Sequence, residues 1–136
     1  MTQSSVAVHR RIRWLRFISR SLALAWAIFW VWFGLASGIS EGIGFLGTVM
    51  HAAFPGLIFL LSALIPWRFP RTGGIILIIE GIIITVAYPI MFDRFPLTTV
   101  IFVLLTMAVP PILSGILFVL EHHKISKGID MPDIGV

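Results

Sequence analysis

Four apolar runs, each about 20 residues long and separated by a few polar residues, constrain this chain more than any other feature. They cover 17–37, 45–65, 72–92 and 97–120. A helix rises about 1.5 Å per residue, so about 20 residues cross the roughly 30 Å of hydrocarbon in a bilayer. Lipid offers no partner for an unpaired backbone group, and a helix satisfies its own. The runs also lack the alternation of a barrel strand. The stretch "GGIILIIEGIIIT" at 73–85 is rich in Ile, which favours strands in water, but is read as helix on the same grounds.

Composition agrees. The 136 residues are 58% hydrophobic and 12% charged, with a mean hydropathy of +1.02. An ordinary soluble domain carries about 25% charged residues. The connections "GISEGIG", "PWRFPR" and "DRFP" are short enough to hold sequence neighbours side by side and antiparallel. The predicted fold is therefore all-α: a polytopic membrane protein folded as an up-down-up-down bundle of four transmembrane helices. A basic amphipathic arm (1–16) precedes the membrane domain (17–120), and a short tail (121–136) follows it. No internal repeat suggests an inverted-repeat transporter. The first run has the basic lead and small residues of a signal peptide, but its core is long and rich in Trp, so it is expected to be retained.

Charge gives the orientation. With the N-terminus in the cytoplasm, nine of the ten Lys and Arg residues fall on the inner side and Arg94 alone on the outer. The positive-inside rule then places both termini in the cytoplasm, in a prokaryotic inner membrane. The net charge of +4 flanks apolar runs, so membrane orientation accounts for it better than nucleic-acid binding. Arg13, Arg16 and Arg20 recur at helical spacing and suit anionic lipid headgroups.

Glu80 is the residue least suited to its surroundings. It lies about midway along the third run, roughly 13 Å from the inner surface. A charge at that depth costs on the order of 3 kcal/mol. A neutral carboxyl, a cationic partner inside the bundle, or a small aqueous cavity would each reduce that cost. Arg20 is the expected cation, about five residues or roughly 7 Å away in depth. Thr106, in "TMAVPP", is a second candidate neighbour: Pro110 and Pro111 lack an N–H and release the carbonyls of Thr106 and Met107. The plainest role for Glu80 is a latch fixing helix register; a proton or ion pathway and a ligand-binding carboxylate are the others.

His51 is the other intramembrane polar group, in the outer third of the second run. Pro55 leaves its carbonyl free, which suggests a kink there. A lone imidazole can ligate a haem or chlorophyll-type macrocycle, but it more often packs and hydrogen-bonds. His122 and His123 resemble a surface metal patch, yet adjacent residues on a helix point apart, so no metal site is expected. Gly34, Gly38 and Gly42 repeat a four-residue spacing, and Gly81 adjoins Glu80; these small residues are expected to admit close helix contact, within the bundle or between copies. Trp26, Trp30 and Phe33 form an aromatic stripe read as packing or lipid contact.

The stretch "PWRFPRTGGIILIIEGI" resembles the centre of a family of small, uncharacterised four-helix prokaryotic membrane proteins, with Trp67, Arg68, Gly73, Gly74 and Gly81 carrying the likeness. That resemblance implies a fold and brings no catalytic residues with it.

The chain has no cysteine, which removes disulfides, thiolate metal sites and Cys nucleophiles. It also lacks a phosphate loop, a nucleophile triad and a metal-spaced acidic cluster. It is expected to be no enzyme and to hold no cofactor. The leading expectation is an accessory or scaffold subunit that joins itself or a larger membrane complex through Gly-rich faces, with Glu80 as latch. A small transporter or proton-coupled channel using Glu80 is the alternative, and a pigment-binding subunit using His51 a weaker one.

Overall fold

The computed structural model describes residues 3–91 and 94–129, and every element in them is helical. In chain order these are α1 (Gln3–Ser40), α2 (Gly44–Ala52), α3 (Ile58–Arg68), α4 (Pro70–Met91), α5 (Leu97–Val103) and α6 (Val109–Ile129). Wide π turns join α2 to α3 (Ala53–Leu57) and α5 to α6 (Leu104–Ala108). The result is four rods: α1, α2–α3, α4 and α5–α6. Each is long and apolar enough to cross a membrane. The basic arm is not a separate element, because α1 runs unbroken from Gln3 to Ser40. The last rod likewise continues past the fourth apolar run, as far as Ile129.

The interruptions follow from proline. Phe54 precedes Pro55 and sits at φ −118, ψ 109, outside the helical region. The proline ring clashes with a helical residue before it, and the Pro nitrogen has no proton to donate. In the last rod the Val109 N–H reaches back to the Leu104 carbonyl, a five-residue step just ahead of Pro110 and Pro111. By contrast, α4 passes through Pro89 as continuous helix. Between α1 and α2 the chain reverses within a few residues. Gly42 and Gly44 take φ +66 and +75, a region that a side chain disfavours.

Consecutive rods pack antiparallel, and the last closes against the first. Residue pairs fix the direction. Gly34 meets Ala52 and Gly38 meets Thr48, so numbers rise on one rod as they fall on the other. Gly74 meets Gly115 and Gly81 meets Ala108 in the same sense. Arg16 meets Glu121 and Trp30 meets Thr106. Rods one and three are thus diagonal neighbours. The core is small: Ala23, Trp26, Ala27, Trp30, Phe59, Ala63, Leu77 and Phe118 form its buried cluster. Trp26 stacks on Phe59 with ring centres 4.4 Å apart. The outside is apolar, with Trp32, Leu61, Ile83 and Leu105 among many large exposed side chains.

Glycine sets the spacing of the rods. A Cβ on Gly34 would lie 2.6 Å from the Ala52 Cα and 2.8 Å from the His51 carbonyl oxygen. Gly74 and Gly115 face each other across the α4–α6 contact at similar distances. No side chain larger than hydrogen fits where two backbones come this close.

Candidate functional site

The polar interior lies in one half of the bundle, the half that ends at Arg16, Trp67, Arg71 and Glu121. The buried polar side chains Ser19, Ser62, Ser114 and Glu121 all lie there. Each serine turns its hydroxyl onto its own helix: Ser19 donates to the Arg16 carbonyl at 3.2 Å, Ser62 to Phe59 at 3.1 Å and Ser114 to Pro111 at 3.1 Å. The opposite half packs on small residues, with Gly34, Gly38, Ala52 and Ala108 at its contacts, and the polar half shares that device at Gly74 and Gly115.

Glu80 is half-buried on α4, and the neighbouring polar side chain is Ser62 of α3. The Ser62 hydroxyl itself donates to the Phe59 carbonyl at 3.1 Å. The second carboxyl oxygen of Glu80, Oε2, is buried without a partner. Gly81 beside it admits the last rod, since a Cβ there would lie 2.8 Å from the Ala108 carbonyl oxygen. The expected approach of another helix at Gly81 is thus the approach of α6.

The expected neighbours of Glu80 are elsewhere. Arg20 makes no ion pair with it. The Arg20 guanidinium lies over the Trp67 ring, 5.5 Å from its centre, and its Nε is buried without a hydrogen-bond partner. The reason is topological: Arg20 and Glu80 sit on diagonal rods, and depth alone does not bring diagonal rods together. Thr106 makes no hydrogen bond with Glu80 either. Its hydroxyl donates to the Phe102 carbonyl at 2.9 Å. The Thr106 carbonyl, freed by Pro110, accepts instead from the Trp30 indole N–H at 3.4 Å. The release of that carbonyl was legible in the sequence; its partner was not.

Among the described residues, the acid that does pair is Glu121. Its side chain is 1% exposed, and the Arg16 Nε donates to its Oε1 at 2.8 Å. This ties the first rod to the last across 105 positions of sequence. In the sequence Glu121 falls just past the fourth apolar run, directly before His122 and His123. A signal was present nonetheless. Pro111, Ser114, Phe118 and Glu121 fall at helical spacing on one face of α6, and all are buried. The face therefore runs inward past the end of the apolar run. Arg16, expected at lipid headgroups, is in part committed to this pair.

His51 is half-buried toward the other end. Its freed carbonyl packs against Gly34. Among the described residues no group of three or more His, Cys, Asp or Glu could hold a metal ion. The glycine expectations divide. Gly34, Gly38 and Gly81 do pack helices, but within this chain. Their stripe is occupied by the second and fourth rods, so it is not the face on which another copy could dock. Gly42 lies in the turn after α1 and meets nothing within 4 Å; its role is backbone conformation. Of the aromatic stripe, Trp26 and Trp30 are core, while Phe33 is exposed.

Fold and site together define a class: an all-helical chain of four apolar rods, closed by glycine contacts, with its buried polar side chains, among the described residues, toward one end. The chain belongs to the family described as a domain of unknown function, DUF7670, whose model matches residues 8–129. The resemblance drawn from the sequence, to a family without a known activity, agrees with this. No curated protein and no solved structure matches the chain.

Proposed function

We propose that this chain is a small integral protein of a prokaryotic inner membrane, with both termini in the cytoplasm, acting as a non-enzymatic accessory or scaffold subunit without a cofactor. One observation carries the reading: the rods are apolar on the outside as well as within, while nine of the ten basic residues gather toward one end. An apolar exterior of this extent is unfavourable in water and suits lipid. The partner is a larger membrane complex or a second copy. Docking uses exposed apolar faces such as that of Trp32 and Phe33, since the glycine stripe is filled within the chain. Glu80 acts as a latch toward Ser62 between α4 and α3. The test is isolation of the protein from membranes in mild detergent after alkaline carbonate washing. Retention in the washed membrane, with a larger complex on gentle extraction, is expected. Release by carbonate would refute the membrane reading; a bare monomer would refute the subunit role.

A second reading, a proton-coupled path through Glu80, is favoured by one feature. The buried acceptor Glu80 Oε2 and the buried donor Trp26 Nε1 both lack partners, and both belong to the region around Phe59 and Ser62. Proton flux into liposomes separates the readings. Flux that Glu80→Gln abolishes supports the path; equal flux in both proteins, or none in either, removes it.

A further inference from the structure

At the basic end, an open groove of about 400 Å³ lies between α1 and the end of α3. Arg13, Arg16 and Arg20 line it, with Phe17, Leu24 and Trp67 as apolar walls. We propose that this groove is a binding site for an anionic phospholipid: its phosphodiester at the arginines, and the start of an acyl chain along Phe17 and Leu24. The proposal rests on the membrane reading above and adds a discrete site to it.

Three observations carry it. First, the arginines are not equivalent. Arg16 is neutralised by Glu121 through its Nε, whereas Arg13 and Arg20 have no carboxylate partner among the described residues. The groove therefore holds about two unbalanced positive charges, complementary to a phosphate-bearing anion. Second, Arg20 is held in place without being satisfied. The Trp67 ring supports the face of its guanidinium, and its buried Nε has no hydrogen-bond partner. A guanidinium stacked on one face, with its Nε buried, still offers the edge formed by its two terminal Nη groups, and that edge matches a phosphate in a bidentate fork. Third, the walls continue below the charges. Phe17 is 64% exposed and Trp67 43%, and Leu24 lies further along α1 toward the apolar belt. A free phosphate would leave this apolar surface uncovered, whereas an acyl chain covers it. Tryptophan at headgroup level has the same amphipathic logic.

The test uses the full chain, purified in detergent and titrated with phosphatidylglycerol or phosphatidylcholine, with retained lipid counted by native mass spectrometry. The native chain is expected to keep one phosphatidylglycerol in preference to phosphatidylcholine. Arg13→Gln with Arg20→Gln should weaken retention by about tenfold or more. Arg68→Gln with Arg71→Gln removes the same charge from the same end, outside the groove, and should leave retention unchanged. Trp67→Leu keeps every charge and should still weaken it. Thermal melting verifies folding. Arg13→Gln alone, at an exposed side chain, gives a smaller loss of about fivefold if the double variant does not fold.

Equal losses in the two double variants would overturn the site in favour of diffuse attraction. Equal retention of the two lipids, or no retention of phosphatidylglycerol, would also overturn it. Competition by glycerol phosphate at the lipid's own concentration would point to a soluble phosphate instead. A chain that resists carbonate yet retains no lipid refutes the groove and leaves the membrane reading standing.

Discussion

Two carboxylates at different depths do different work. Glu80 has Ser62 as its polar neighbour, and its Oε2 is buried without a partner. An amide in its place can still hydrogen-bond with Ser62. Glu80→Gln is therefore expected to change the melting temperature in detergent little. Glu80→Leu removes all hydrogen bonding toward Ser62 and should lower it; an unchanged value would refute the latch. Glu121 is more exacting, because it is 1% exposed and depends on Arg16. Arg16→Met leaves that carboxylate buried and unpaired, and should cost roughly 1–3 kcal/mol, less than a wholly buried pair because Arg16 itself is half-exposed. Adding Glu121→Met should restore much of the loss, since the uncompensated group is then gone. Denaturant titration of the singles and the double closes the cycle, and additive losses would refute the coupling.

At the scale of elements, the contacts that close the bundle are backbone against backbone. Gly34 lies against the Ala52 Cα, and Gly115 against the Gly74 carbonyl oxygen. Gly34→Leu should thus separate α1 from α2 and cost at least about 1–3 kcal/mol of stability, read by the same titration. If the stripe served assembly alone, the variant would keep its stability and lose only its oligomer, and that result would refute the present assignment. The carbonyl freed by Pro110 shows the same economy of contacts, since Trp30 takes it from across the interface. Trp30→Phe removes that donor while keeping an aromatic ring. It should destabilise by about 1 kcal/mol, near the net value of one intramolecular hydrogen bond.

For the whole molecule, the asymmetry between the ends is the main result. One end holds the Arg16–Glu121 pair, the Arg20–Trp67 contact and the arginine groove; the other holds Glu41, the glycine turn and Arg94. Because the chain has no native cysteine, single cysteines report on sidedness directly. In sealed inner-membrane vesicles of known orientation, Ser40→Cys should react with an impermeant maleimide only from the outer side, and Ser126→Cys only from the inner. The reverse pattern, or labelling of both positions from one side, would refute the orientation.

The sequence determined the number of rods, their approximate limits and the breaks near Pro55 and Pro110, whereas Pro89, also expected to interrupt its run, lies within continuous helix. Each depends on local rules: the length of an apolar run, the missing proton on Pro55 and Pro110, and the clash of a proline ring with the residue before it. It also marked Glu80 as a polar group in an apolar run, and Gly34, Gly38 and Gly81 as points of close approach. The partners were a different matter. Whether Arg20 faces Glu80 or Trp67, and whether Thr106 serves Glu80 or Trp30, depends on which rods are adjacent and how each is rotated about its axis. Depth along a helix can be counted from the chain, but azimuth around a closed bundle cannot. That is why Glu121 is buried although it lies just past an apolar run, while Arg20 closes over a tryptophan at the edge of the groove.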